Sequence, residues 1–493
     1  MAKRKSRSIK PNPAVDPWTW AREYLTPSEF EMLNTSIKSE LPLSIRINQL
    51  KTETDKAIRV WEQSYQWKPS PIPFCESGYW IEGRDTSPSK TIEHRLGYFY
   101  IQEAASMLPA ELFDFEGIPQ PLILDMAASP GGKTIHLADR TMDKGLIIAN
   151  DASRSRINAL RIVLQNWGAI NQAITNMPGE WYGSAYPETF DAVLLDAPCS
   201  MQGLRTSVSH STRPITENEI QSLADRQFQL LKSALQTAKI GGQVIYSTCT
   251  LSPLENEAVV SHILSAYGDA VAIVNIQPRL PAPAPAVTHF EGTPFHSQIT
   301  NAARLWPHVF GTAGFFCAKF VKVGAIQPDK EINIWGGSPK LKGAHLNDKE
   351  SSELSEQISS LYGIDLRAIM DSHALSFWEN NGNMYLIPAK LSAIVPELPI
   401  LSMGMLAGKS YPNGWQPSHE FVSRFGDLFT KNVYTLDEAY HAAWLRGEDI
   451  RGLSDEDGSG GKLLAVRDGN GRNFGRGKML AKRLKNMLPT RLF

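Results

Sequence analysis

The chain reads as an α/β protein built on a parallel, doubly wound sheet. Three observations predict this: apolar strands alternate with helical stretches, a glycine-rich turn follows the first strand, and an acid ends the second. The buried-strand candidates are PLILDMA (121–127), LIIAND (146–151), FDAVLLDAP (190–198) and GQVIYSTCT (242–250), with helical stretches such as Ser153–Trp167 and Glu217–Ala238 between them. Strands that are apolar throughout belong in a sheet covered on both faces. FFCAKFVKV (315–323) follows a loop carrying Pro281, Pro283, Pro285 and Pro307, and suits an antiparallel closing strand.

On either side the pattern changes. Residues 1–105 mix helical and extended segments. LSIRINQL (43–50) alternates like a strand, with Arg46 and Asn48 on the face away from Ile45 and Ile47. After Val323 the strand–helix alternation stops and residues 340–372 turn polar. The expected domains are therefore 1–105, 106–325 and 326–493, in line with about two to four for this length.

Composition limits the function classes. The 493 residues are 42% hydrophobic and 20% charged, as in globular proteins. No apolar run approaches the roughly 18–20 residues of a membrane span, and the basic start lacks the apolar core of a secretory signal. Four widely spaced cysteines make no disulfide framework, so a cytoplasmic location is expected. The net charge of −1 conceals two basic tails. Lys3, Arg4, Lys5, Arg7 and Lys10 crowd the first ten residues, and nine Lys or Arg face one acid, Asp468, from Gly461 to Phe493. Such tails suit a phosphate backbone, although frayed, solvated ends are equally basic.

The densest signal is Leu124-Asp-Met-Ala-Ala-Ser-Pro-Gly-Gly-Lys-Thr134, a strand running into a tight turn and a helix. GGKT suggests a phosphate loop, but Ala127 stands where that loop needs glycine. Asp151, at the tip of the second strand, suits the ribose of an adenosine cofactor, or the cap of the following helix. No GxGxxG is present, so a nucleoside cofactor without pyrophosphate fits better than a nicotinamide. Two further strands end in Asp196-Ala-Pro-Cys-Ser200 and Ser247-Thr-Cys-Thr250. Strand ends of this kind converge above the sheet, which puts Cys199, Cys249 and Asp196 in one cleft. Neither cysteine has a partner at zinc-ligand spacing, and no metal is expected.

These motifs (MAASPGGKT, DAPCS and STCTLSPLENE, with GYFYIQEAAS at 97–106 and FGTAGFFCAKF) resemble those of the RNA cytosine-C5 methyltransferases of the Sun/Nop type. GWQPSHEF (414–421), WLRGE (444–448) and FGRGKMLAKRLKNMLP are similar to the bacterial small-subunit ribosomal RNA branch, methyltransferase F of the YebU type. The resemblance implies a central Rossmann-like S-adenosylmethionine-dependent methyltransferase domain, a small α+β N-terminal domain and a C-terminal PUA-like RNA-binding region. It implies that Cys249 attacks carbon 6 of cytosine, Cys199 assists release and Asp196 binds the base near N3. S-adenosylmethionine would lie on Ala127, Ala128, Ser129, Pro130, Gly131, Gly132 and Lys133, with Asp151 on its ribose and Asp196 alongside. Near the adenine, Pro178 stands where the family carries an acid, and Asn176 is a candidate substitute. ENE (Glu255–Glu257) is expected either to brace the Cys249 loop or simply to begin a helix. The expected partner is ribosomal RNA, within the small subunit or free. A transfer RNA or another structured RNA is the alternative. Arg46, Arg472, Arg476, Lys478, Lys482, Arg483 and Lys485 are candidate RNA contacts.

Overall fold

The computed structural model describes residues 18–83, 86–203, 215–328, 342–391, 398–411, 414–453 and 461–490. The basic cluster at Lys3–Lys10 lies outside them. An N-terminal sheet comprises β1 (Ser44–Ile47), β2 (Lys68–Ile72), β3 (Cys75–Glu82) and β4 (Phe99–Ile101), ordered β2-β3-β1-β4.

The central sheet holds β5 (Leu122–Asp125), β6 (Leu146–Asn150), β7 (Gln172–Thr175), β8 (Phe190–Asp196), β9 (Ala238–Thr248), β10 (Val271–Val274), β11 (Ala303–Leu305), β12 (Phe315–Lys322) and β13 (Ile400–Met403). Its order is β10-β12-β9-β8-β5-β6-β7-β13, with β11 beside β12. Neighbours from β7 through β9 run parallel, and β12 closes antiparallel on β9. This is the doubly wound sheet expected from the sequence. One feature was not expected: β13 returns from the C-terminal region to pair with β7, Ile400 opposite Thr175.

Period-2 side chains explain why both faces are covered. Leu124, Ile148, Val193 and Val244 point to one side, against Leu231 of α3 (Glu217–Thr237) and Val260 of α4 (Glu257–Tyr267). Ile123, Ile147, Leu194 and Ile245 point to the other, against Leu137 of α1 (Gly132–Arg140) and Leu160 of α2 (Ile157–Trp167). Local chemistry sets the ends of these helices. Thr216 and Glu219 form a capping box before α3. Gly168, at φ 83°, ends α2 in a left-handed turn.

Among the described residues, the C-terminal region from Ala344 on forms two five-stranded sheets. One contains Leu375–Asn380, Asn383–Pro388 and Met405–Tyr411; the other contains Leu463–Arg467, Asn473–Leu480 and Arg483–Asn486. The second sheet shares a core with the first sheet of the chain, where Ile45, Ile47, Trp61 and Phe99 meet Trp444, Val466, Phe474 and Leu484. Among the described residues, no helix is long and apolar enough to cross a membrane.

The alternation in 43–50 is real, but its polar face is not turned to solvent. Arg46 is fully buried and pairs with Asp139 of α1, its guanidinium 4.7 Å from the Trp167 ring. Asn48 donates to the Gly97 and Trp167 carbonyls at 2.7 and 2.9 Å. Both polar side chains thus fasten β1 to the central domain, and Arg46 is withdrawn as an RNA contact. Two more candidates are also structural. Arg472 bridges Glu93 and Asp468, and Arg476 donates to the Pro417 carbonyl. Lys482 and Lys485 are exposed.

Burial pushes Asp139 up to about 7 despite Arg46 and the Trp167 N–H. Arg46→Met should cost about 3–5 kcal/mol at alkaline pH, because it strands a buried carboxylate. A group whose pKa is raised on folding favours the folded state only while it is protonated, and the variant raises Asp139 further. The deficit should therefore grow as pH rises above neutral. Urea unfolding of both proteins across pH checks this.

Candidate active site

The parallel register of β8 and β9 builds the site. Asp196 lies opposite Ser247, and the Ala197 N–H donates to the Ser247 carbonyl at 2.9 Å. The two chains leave the sheet side by side. Cys199 and Cys249, both half-buried, therefore come within 3.0 Å, sulfur to sulfur.

Three consecutive buried residues after Cys249 hold this geometry. Glu255 accepts from the Ser200 N–H at 2.8 Å and from the Ser200 hydroxyl, and so grips the Cys199 loop. Gln227 of α3 donates to both Glu255 and the Pro198 carbonyl, at 3.1 and 2.9 Å. Asn256 accepts from Thr248 and donates to the Thr250 carbonyl, gripping the Cys249 loop from both sides. Glu257 pairs with buried Arg304, which donates to the Leu251 carbonyl. ENE thus braces both cysteine loops as well as opening α4.

The FGTAGFF segment has a related part. Gly314 donates to the Gly203 carbonyl at 2.9 Å, and Gly203 donates to the Cys249 carbonyl at 3.0 Å. A Cβ on Gly203 would stand 2.3 Å from the Gly314 oxygen, so only glycine allows this approach.

Asp196 is engaged at both oxygens, by Ser247 at 2.8 Å and by the Lys133 ammonium at 2.7 Å. Lys133 also donates to Ser106 at 3.0 Å. Burial works against the Lys133 charge, but Asp196, Cys249 and Asp125 outweigh it and raise its pKa. Cys249 is held well above the ordinary thiol range, first by its hydrogen bond with Cys199, then by burial and by the negative charge of Asp196. At rest it carries its proton.

Beside the cysteines lies a pocket of about 200 Å³ whose wall includes Ala127, Ala128, Ser129, Pro130, Gly132, Lys133 and Asp196. It is smaller than the roughly 300–1,000 Å³ of a whole-ligand cleft, and so accommodates one end of an elongated cofactor. Gly131 turns the backbone at φ 118° behind this wall, packed on Leu160 and Val163. A Cβ on Gly132 would come 2.9 Å from the Tyr100 ring. Asp151 sits behind the loop, accepting from the Ser129 and Ser153 N–H groups at 3.2 and 2.8 Å; it does not cap α2, whose cap position is Arg156 with no side-chain cap bond. Pro178 lies on the turn after β7. Asn176 is committed to the Asp151 carbonyl at 2.6 Å.

Sequence reasoning missed Asp125, although its place at the end of β5, just before the turn, could have flagged it. Asp125 also lines the pocket. One of its oxygens accepts from Thr134 at 2.6 Å, while the other is buried without a partner among the described residues. Burial pushes it up to about 7. A buried carboxylate oxygen left unsatisfied costs free energy unless a ligand donates to it. The ammonium of S-adenosylmethionine is such a donor, and Asp196 and Glu103 add further carboxylates that suit a cationic ligand. The pocket fits that cofactor.

Together the sheet order, the loop after β5 and the carboxylate-lined pocket define an S-adenosylmethionine-dependent methyltransferase of Rossmann-like fold. Residues 116–321 match the family model for 16S rRNA methyltransferase RsmB/F, and residues 19–104 match that for the N-terminal domain of 16S rRNA methyltransferase RsmF. A ribosomal RNA small subunit methyltransferase F from Erwinia tasmaniensis is 33% identical over 468 residues, covering 94% of this chain and 93% of its own. The Vibrio cholerae protein of the same name is 31% identical, covering 97% of each chain. Among solved structures, a methyltransferase homologue from Pyrococcus horikoshii is 32% identical with a TM-score of 0.52, over 59% of this chain and 90% of its own. The chain belongs to the 16S rRNA methyltransferase RsmB/F family.

Replacing Cys199 by alanine removes the leading cause of the high Cys249 pKa. The pH at which Cys249 is half-alkylated by iodoacetamide, read by peptide mass spectrometry, should therefore fall. An unchanged or higher midpoint would contradict the part given to the Cys199 contact.

Proposed function

We propose that the chain methylates carbon 5 of a cytosine in 16S ribosomal RNA, with Cys249 as nucleophile, Cys199 as the group that assists release and Asp196 as the contact to the base. The observation that carries this reading is the pair of thiols at 3.0 Å beside a cofactor pocket. Methyl transfer to an amine or a hydroxyl needs no thiol. Carbon 5 of cytosine does, because it becomes nucleophilic only after a thiolate adds to carbon 6.

In this scheme Cys249 gives up its proton, which passes by way of Asp196 to N3, as its sulfur bonds to carbon 6 and the electrons of the 5,6 double bond shift to carbon 5. Asp196, held in place by Lys133 and Ser247, faces N3 and favours its protonated form as the ring accepts charge. S-adenosylmethionine, when bound, supplies an electrophilic methyl group. The turn from Ala127 to Lys133 would hold it with Asp125, and Asp151 would face its ribose. Loss of the carbon-5 proton then expels the Cys249 sulfur and restores the double bond, with Cys199 placed to assist. With Pro178 in the acid's usual place and Asn176 committed to Asp151, the adenine is left to backbone and apolar contacts.

The cytosine must leave its stack to reach both sulfurs. The flanking N- and C-terminal regions, joined through one core, are read as the RNA-binding parts. The C-terminal one is read as PUA-like, with Lys482 and Lys485 toward phosphate. The small subunit or its free RNA is the substrate, and the cytoplasm is where it is met.

The test uses 16S RNA carrying tritium at carbon 5 of its cytidines. The enzyme with S-adenosylmethionine should release tritium to water, and bisulfite mapping should place one new methylcytosine. Methylation without tritium release would overturn the carbon-5 assignment. A full set of 16S methylcytosines in a strain lacking the gene would overturn the ribosomal one.

A further inference from the structure

Away from the cofactor pocket, three side chains with no part in methyl transfer meet in the interior. Cys75 begins β3 of the N-terminal sheet, Glu111 ends the short helix Leu108–Glu111, and His136 lies on α1 of the central domain. All three are buried. His136 Nε2 is 2.9 Å from a Glu111 oxygen and 3.9 Å from the Cys75 sulfur, and the three donor atoms lie within 4.8 Å of one another. A tetrahedral zinc ion at its usual bond lengths separates such donors by roughly 3.3–3.6 Å. The two distances bracket that value and the third pair, Cys75 and Glu111, lies within 4.8 Å, so side-chain adjustment would place the donors on one ion.

We propose that Cys75, Glu111 and His136 form a zinc site that fastens the N-terminal sheet to the methyltransferase domain, with its fourth position open to water. A soft thiolate, an imidazole and one carboxylate make a mixed donor set that suits zinc better than magnesium or calcium. On binding, Cys75 gives up its thiol proton to solvent as the zinc–sulfur bond forms.

Two further features fit. His136 Nε2 donates its ring proton to the Glu111 carboxylate; zinc binding moves that proton to Nδ1, which has no partner among the described residues and so is free to take it. The other Glu111 oxygen is 3.3 Å from Arg140, which keeps the carboxylate oriented. Cys75 and Glu111 also line a cleft of about 470 Å³ with Leu108, Arg140 and Arg279. It gives the ion and a bound water access from solvent. The expectation of no metal rested on Cys199 and Cys249, which lack a partner at ligand spacing; Cys75, Glu111 and His136 are scattered over more than sixty positions and share no spacing signature.

The test is metal analysis of untagged, full-length protein dialysed against micromolar zinc, alongside cobalt titration. One zinc per chain and a near-ultraviolet thiolate-to-cobalt band are expected, both lost in Cys75→Ser and Glu111→Gln. Both should persist when Cys199 and Cys249 are replaced together. Zinc should also raise the melting temperature of the wild type, which shows the effect even if a variant folds poorly. Absence of bound zinc in the wild type would overturn the site and leave a packing cluster. So would zinc that survives Cys75→Ser but disappears with Cys199 and Cys249.

Discussion

The alignment of β8 with β9 is the constraint on which the rest of the structure depends. Because Asp196 faces Ser247 in a parallel pair, residues two or three places beyond them emerge over the same edge of the sheet. Cys199 and Cys249, fifty residues apart in the chain, are thereby brought to 3.0 Å. A slip of one residue would turn each of these side chains to the opposite face. The apolar alternation that covers the sheet on both sides therefore also sets the chemistry.

Around that register the protein spends buried polar groups. Glu255, Asn256 and Glu257 are fully buried, and each is satisfied by partners on a different segment of the chain. Unpaired, such groups would destabilise the interior. Paired, they fix loops that no hydrophobic contact could position so narrowly. The same logic ties the domains together, through Arg46 on Asp139 and Asn48 on two carbonyls.

Much of this was legible in the residues. Strand–helix alternation foretold the sheet, and strand ends carrying DAPCS and STCT foretold a shared cleft. Other features were hidden for physical reasons. The sequence shows that Arg46 sits on a polar face of β1, but not that another domain covers that face. The C-terminal run of basic residues looks like a surface. Yet Arg472 and Arg476 are consumed by Glu93, Asp468 and a carbonyl that only the fold supplies. Strand β13 is four residues long and joins its sheet from 225 positions beyond β7, so no local pattern announces it. The Asp125 carboxylate was in view throughout, and its importance emerged only from the oxygen left without a partner.

The unequal roles of the two sulfurs are the central claim, and a trapped adduct tests them most directly. Cys199→Ala protein incubated with 16S RNA and S-adenosylmethionine should run as a protein–RNA species on a denaturing gel. Mass spectrometry of the digested band should place the nucleotide on the peptide containing Cys249. No such species should form with Cys249→Ala. An adduct carried by Cys199 in the Cys249→Ala protein would contradict the assignment and reverse the roles.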